Sequence, residues 1–194
     1  KMEQVKAIGA EKPIFQILPY RRKTAGIVTT GNEVYYKRIQ DTFTPVIREK
    51  LDVFDVEVVV HKTVPDEKEK IIEAIRSMKA EGVDMIICTG GMSVDPDDMT
   101  PSAIKESGAK IISYGAPVLP GAMFLLGYFE DGTPIMGLPG CVMYAKATIF
   151  DLILPRVLAD VKVTKKELAK MGAGGLCLGC ENCTFPNCGF GKGV

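Results

Sequence analysis

Short apolar runs rich in β-branched residues alternate with stretches of helical periodicity along most of this chain. That alternation limits the fold more than any other feature. Ala25 to Thr30 is such a run, closed by Gly31, and it reads as a buried strand. Tyr36, Ile39, Phe43, Val46, Ile47 and Leu51 then recur at helical spacing, and Phe54 to Val60 reads as the next strand. Asp66 and Glu69 stand at capping-box spacing before Ile71, Ile72, Ile75 and Met78, an apolar helix face that Gly82 stops. Asp84 to Cys88 is a further strand. Thr100 as N-cap, Pro101 at the first helical position and Gly108 beyond the end frame a short helix. Lys110 to Ser113, Ala122 to Tyr128 and Pro134 to Leu138 read as strands, the last two joined by the turn Glu130-Asp131-Gly132-Thr133. A helix from Cys141 to Leu154, ended by Pro155, completes the series.

Strand, helix, strand in this order requires parallel pairing through right-handed crossovers, with helices on both faces of the sheet. The hairpin makes the sheet mixed. The fold class is α/β, a doubly wound, mostly parallel sheet. Residues 1–23 read as a lead-in that ends in the basic run Tyr20-Arg21-Arg22-Lys23, suited to solvated surface or to a phosphate. Residues 24–170 read as the α/β domain and residues 171–194 as a cysteine-rich tail.

In such sheets ligands bind beyond the carboxyl ends of the strands. Three loops fall there: Thr29 to Glu33, Thr89 to Asp95, and Gly137 to Cys141. Gly90 and Gly91 follow a buried strand, where missing side chains let backbone N–H groups approach an anion, and Ser93 adds a hydroxyl. Replacing Gly91 by a bulky residue is therefore expected to remove binding and spare the fold. Gly140 precedes the proposed long helix, whose free N–H groups and dipole favour phosphate. The other reading is that these glycines only serve tight turns. Asp95, Asp97 and Asp98, with Glu33 on a neighbouring loop, are hard oxygen donors that suit Mg²⁺ beside phosphate. Asp98 also suits an early-turn charge complementing the following helix dipole.

Several function classes are excluded. Twenty-four basic and 24 acidic side chains cancel, which leaves no cationic excess for broad nucleic-acid binding. No apolar run reaches the roughly 18 to 20 residues of a membrane helix, and no signal-peptide pattern opens the chain. A cytoplasmic protein without membrane partners is expected.

Thr30-Gly31-Asn32-Glu33, then Thr89-Gly90-Gly91-Met92-Ser93-Val94 with Asp98 and Thr100, then Pro120-Gly121 and Gly137-Leu138-Pro139-Gly140, together resemble the MoeA/MogA/MoaB-type molybdopterin-binding domain. The resemblance covers residues 24 to 160. It implies a site for molybdopterin, free or adenylylated, at Thr30, Gly31, Asn32, Thr89, Gly90, Gly91, Ser93, Asp95, Pro120, Gly121, Gly137, Pro139 and Gly140. It further implies Glu33 and Asp98 as catalytic carboxylates with Mg²⁺, Asp41 as another matching acidic position, molybdate as a substrate, and a homo-oligomer, dimer or trimer. The sequence departs from the family pattern at three places. Asn32 stands where aspartate is common, Ala122 follows Pro120-Gly121 where lysine is frequent, and Cys141-Val142 replaces Asn-Pro. These losses bear on molybdate insertion more than on pterin binding. Two readings follow: a molybdenum-cofactor biosynthesis protein of the MoeA type, or a non-catalytic module that binds molybdopterin or the finished cofactor.

The tail lies outside that resemblance. Cys177, Cys180, Cys183 and Cys188 give C-x2-C-x2-C-x4-C, four soft donors on glycine-rich spacers that suit Zn²⁺ or an iron–sulfur cluster. Cys88 reads as core. Cys141 reads as a thiol at a helix start, either reactive or simply buried. His61 is the sole histidine and has no partner in sequence, so no role is assigned to it.

Overall fold

The computed structural model describes residues 1–11 and 15–192; residues 12–14 of the lead-in and 193–194 of the tail lie outside it. The elements in chain order are α1 (Met2–Glu11), β1 (Thr24–Thr30), α2 (Asn32–Tyr35), α3 (Phe43–Asp52), β2 (Glu57–Val64), α4 (Lys68–Ala80) and β3 (Met85–Thr89). They continue with α5 (Thr100–Glu106), β4 (Lys110–Tyr114), β5 (Leu125–Tyr128), β6 (Pro134–Leu138), a 3₁₀ turn at Gly140–Met143, α6 (Ile149–Leu158) and α7 (Lys165–Lys170). The six strands form one sheet in the order β2-β1-β3-β6-β5-β4. Its first four members pair in parallel, and β5 runs antiparallel to both its neighbours. This is the mixed, mostly parallel sheet read from the alternation.

Strand periodicity divides the core in two. Met85 and Ile87 point with Ala25 and Ile27 toward Ile47 and Leu51 of α3 and Phe150 and Ile153 of α6. Ile86 and Cys88 point with Val28 to the opposite face, where Ile71, Ile75 and Met78 of α4 and Ile104 of α5 cover them. Each strand residue alternates because successive side chains leave a strand on opposite sides. Both sides are fully covered, which explains the near-continuous apolar reading of β1 and β3. Cys88 is core, as read.

Several local readings give way to tertiary contacts. Asp66 does not cap α4, whose start at Glu67 has no side-chain cap; its carboxylate instead accepts from the Asn32 amide at 3.0 Å. The helical spacing from Tyr36 to Leu51 yields a helix only from Phe43, because Asp41 accepts the Phe43 and Thr44 amides (2.9 and 3.0 Å) and starts α3 there. β2 begins at Glu57, three residues later than read, and β5 begins at Leu125.

The helix expected from Cys141 to Leu154 is two pieces. Thr148 and Asp151 make a reciprocal capping box that fixes the start of α6 at Ile149. Pro155 lies inside α6, which runs one turn farther because Val157 and Leu158 are buried. Finally, Arg22 is neither solvated surface nor a phosphate ligand. Its guanidinium donates to the carbonyls of Asp84 (2.8 Å) and Gly132 (3.0 Å) and to the Asp160 carboxylate (2.6 Å), pinning the lead-in to the sheet.

Candidate functional site

The register places the three loops side by side. Thr29 pairs with Thr89, Thr89 with Leu138, and Thr30 with Val64, so β1, β3 and β6 end at one edge of the sheet. At that edge the Thr100 hydroxyl donates to the Gly90 carbonyl at 2.8 Å and meets the Thr30 hydroxyl at 3.2 Å. Thr30 and Thr100 are both buried. Thr100 is thus not the N-cap of α5, a place held by Met99; its hydroxyl serves the glycine loop instead.

The glycines are required by space and by backbone. Gly90 has φ +83°, and a Cβ there would stand 2.1 Å from the Thr30 carbonyl oxygen. Gly91 has φ +52°, with 2.9 Å to the Thr100 hydroxyl oxygen. Both values lie where side chains are disfavoured. A bulky residue at Gly91 therefore strains the loop itself, and the expectation that it would spare the fold does not hold. Valine at Thr100 keeps the shape and removes the hydroxyl shared by Gly90 and Thr30. The expected loss is about 1–3 kcal/mol, checked by the shift in denaturation midpoint.

Beyond the glycines the loop closes on itself. Ser93 donates to Asp98 Oδ2 through its amide and, at 2.8 Å, through its hydroxyl. That same hydroxyl accepts from the Asp95 amide at 3.1 Å, and Asp95 accepts from the Asp97 amide at 3.0 Å. Tyr114 of β4 donates to the Ser93 carbonyl at 3.0 Å. Burial and the Asp98 charge both push the Tyr114 phenol up. Asp98 acts here as the tie of its own loop. Glu33 is exposed on α2, and among the described residues no hydrogen bond joins it to Asp98. Nor do three His, Cys, Asp or Glu side chains gather as a cation site among them.

Gly137 faces Met92, whose Cε would stand 2.6 Å from a Cβ there. Pro120 and Gly121 lie against the start of α6: Ile149 donates to the Pro120 carbonyl at 3.1 Å, and a Cβ on Gly121 would stand 2.5 Å from the Ile149 side chain. This loop and Pro139-Cys141 line a shared cavity of about 440 Å³ with Leu176 and Cys177. Gly140 opens only the 3₁₀ turn, so the long-helix phosphate site read from the sequence is absent. Cys141 likewise sits in that turn, where burial pushes its thiol up. Of the two readings, this placement favours the simply buried thiol.

Sequence reasoning missed His61. Its Nε2 lies 3.0 Å from the Thr29 hydroxyl, 3.1 Å from that of Thr44 and 3.4 Å from Asp41 Oδ2. Thr44 donates to the same carboxylate oxygen at 2.5 Å. The parallel register of β2 on β1 builds this cluster, and only the pairing could have revealed it. Burial works against the Asp41 charge. Bonds from the Thr44 hydroxyl and the Thr44 and Phe43 amides, with the pull of His61, nonetheless hold its carboxyl below the usual range. Burial also pushes His61 toward neutrality, against the attraction of Asp41 and with the repulsion of Arg48.

The unfolded chain therefore takes up the His61 proton first. Stability from the neutral ring is present above about pH 6.5 and declines as pH falls below it. Asp41 loses stability in the same direction at lower pH, as pH falls through its folded value. His61→Gln is expected to remove the first decline and keep the second, measured by denaturant unfolding across that range.

The family model described as "Probable molybdopterin binding domain" matches residues 26–159. A CinA-like protein from Mycobacterium sp. (strain MCS) is 41% identical over 81 residues, 41% of this chain and 19% of that protein. A molybdopterin molybdenumtransferase from Staphylococcus epidermidis is 29% identical over 127 residues, 62% of this chain and 30% of that protein. The matched stretch thus spans less than a third of either curated relative. Among solved structures, the molybdopterin biosynthesis enzyme MoaB from Thermus thermophilus superimposes with a TM-score of 0.60 at 24% identity, covering 73% of this chain and 98% of that one. MogA gives 0.59 at 22% identity, covering 72% and 100%. At these identities the likeness is one of fold.

Proposed function

The chain belongs to the molybdopterin-binding domain family, and from that premise we propose that it binds molybdopterin at the loops following β1, β3 and β6, in molybdenum cofactor biosynthesis. One observation carries the proposal: Gly90 and Gly91 take left-handed backbone conformations locked by Thr30 and Thr100, so a loop without side chains is held rigid at the sheet edge. Such a loop presents amides to a phosphate at little ordering cost. Pro120 and Gly121 with Pro139 and Cys141, which line one cavity, would form a second wall.

A second reading, molybdate insertion into adenylylated molybdopterin, has one specific support, the match to a molybdopterin molybdenumtransferase. Against it stand the engagement of Asp98 by Ser93 of its own loop, the missing lysine after Gly121 and the missing amide after Gly140. No group of three His, Cys, Asp or Glu side chains gathers among the described residues, and no step is assigned to Mg²⁺. Binding without catalysis is the better-supported role, in the cytoplasm.

Mass spectrometry of ligand released from protein purified in a molybdopterin-rich host tests the proposal. A phosphorylated pterin is expected; protein that carries none and gives no calorimetric signal with molybdopterin would sink it. Asp98→Asn tests the second reading. With Asp98 as the loop's tie, the exchange is expected to weaken binding several-fold by loosening residues 93–98. Were Asp98 catalytic, AMP release from adenylylated molybdopterin would instead collapse while affinity held.

A further inference from the structure

The tail holds four thiols that the ligand site does not use. Gly191 donates to the Gly174 carbonyl at 2.8 Å, closing the segment between them into a loop. Leu119 donates to the Gly175 carbonyl (2.7 Å) and accepts from the Cys177 amide (2.8 Å), joining that loop to Pro120-Gly121 by a single bridge at Leu176. Cys177, Cys180, Cys183 and Cys188 all line one cavity of about 260 Å³, with Phe185 and Phe190 in its wall. All four thiols are free. Cys177 and Cys188 are half-buried against the core, whereas Cys180 and Cys183 are exposed. Two donors are therefore anchored at the ends and two lie on the turn between them.

We propose that Cys177, Cys180, Cys183 and Cys188 bind one thiophilic metal centre that fastens the tail to the Leu119–Gly121 loop. In the structure the sulfurs surround the cavity and do not converge on a point; binding draws the exposed Cys180 and Cys183 inward. Neither makes a hydrogen bond among the described residues, so nothing holds them out. The loop needs such a clamp. Between Cys177 and Cys188 it has no helix or strand, only turns and bends, and its buried apolar anchor is Phe190. Metal binding in a segment of this kind supplies folding free energy. Coordination releases the thiol protons; zinc keeps its oxidation state, and a mixed-valence iron–sulfur centre assembles without net oxidation from equal ferrous and ferric iron with sulfide. Zinc and an iron–sulfur centre share this four-thiolate chemistry. The proposal stands independently of the pterin reading.

The test uses the whole reduced chain, reconstituted anaerobically with Zn²⁺ alone or with iron and sulfide. About one equivalent of zinc, colourless, or one iron–sulfur centre with broad visible absorption is expected, with Cys177, Cys180, Cys183 and Cys188 newly shielded from thiol reagents beside the already buried Cys88. Metal is also expected to slow hydrogen exchange at the Leu119 and Cys177 amides at least tenfold. The double variant Cys180→Ser, Cys183→Ser changes only exposed side chains and leaves the body folded. It is expected to lose the metal and that slowing. Full metal retention in the double variant, or four reactive tail thiols after both reconstitutions, would overturn the proposal. So would oxidation of the tail into disulfides with no metal taken up under reducing conditions.

Discussion

Valine at Gly90 is expected to abolish molybdopterin binding and to lower the melting temperature by about 10 °C. Its Cβ would lie 2.1 Å from the Thr30 carbonyl oxygen, and this neighbour is backbone that cannot rotate away. The left-handed conformation at φ +83° adds about 1–2 kcal/mol for any residue with a side chain. β1 and β3 are neighbours in the sheet, so relief requires prising their ends apart. Calorimetry with molybdopterin and a thermal scan check both parts. A melting point within about 2 °C of the parent would show that the two loops are not in contact.

Phe150→Ala is the second large effect. The ring is almost fully buried at the first turn of α6, and its amide bonds the Thr148 cap at 3.2 Å. Truncations of this kind cost about 3–5 kcal/mol, and at roughly 2–4 °C per kcal/mol the melting point falls by about 6 to 20 °C. The same turn carries Ile149, which holds Pro120 and Gly121. Affinity is therefore expected to fall along with stability, whereas a cavity elsewhere in the core would lower stability alone.

β1, β3 and β6 were legible because their residues are buried on both faces, leaving runs such as Met85 to Cys88 with no polar interruption. The three ligand loops were legible for the same reason, since each opens where such a run stops. Element starts were not. Asp66 and Thr100 carry capping chemistry, yet each spends it on a neighbouring loop, and sequence spacing says nothing of a partner 34 or 70 residues away. Thr148 and Asp151 cap α6 inside a stretch that reads as uninterrupted helix. Arg22 and His61 were unreadable because their partners come from strands and loops distant in the chain. Glu33 and Asp98 follow strands that end at one edge of the sheet, but Asp98 spends its carboxylate on Ser93 of its own loop.

The order of the strands also sets a timetable. β1, β2 and β3 with their helices leave the ribosome first and can pair at once, but the other side of β3 waits for β6. Ile86 meets Ile135 and Thr89 meets Leu138, across an excursion that includes α5, β4 and β5. At typical elongation rates of about 5–20 residues per second, roughly 45 residues of synthesis take on the order of 2 to 9 seconds. Throughout that interval Met85 to Thr89 presents an unpaired edge whose side chains are all buried in the finished protein. Such an edge is open to pairing with another chain. The third ligand loop follows β6, so a nascent chain cannot be rescued by its ligand during this window, and expression at reduced temperature or with a holdase chaperone is the practical remedy.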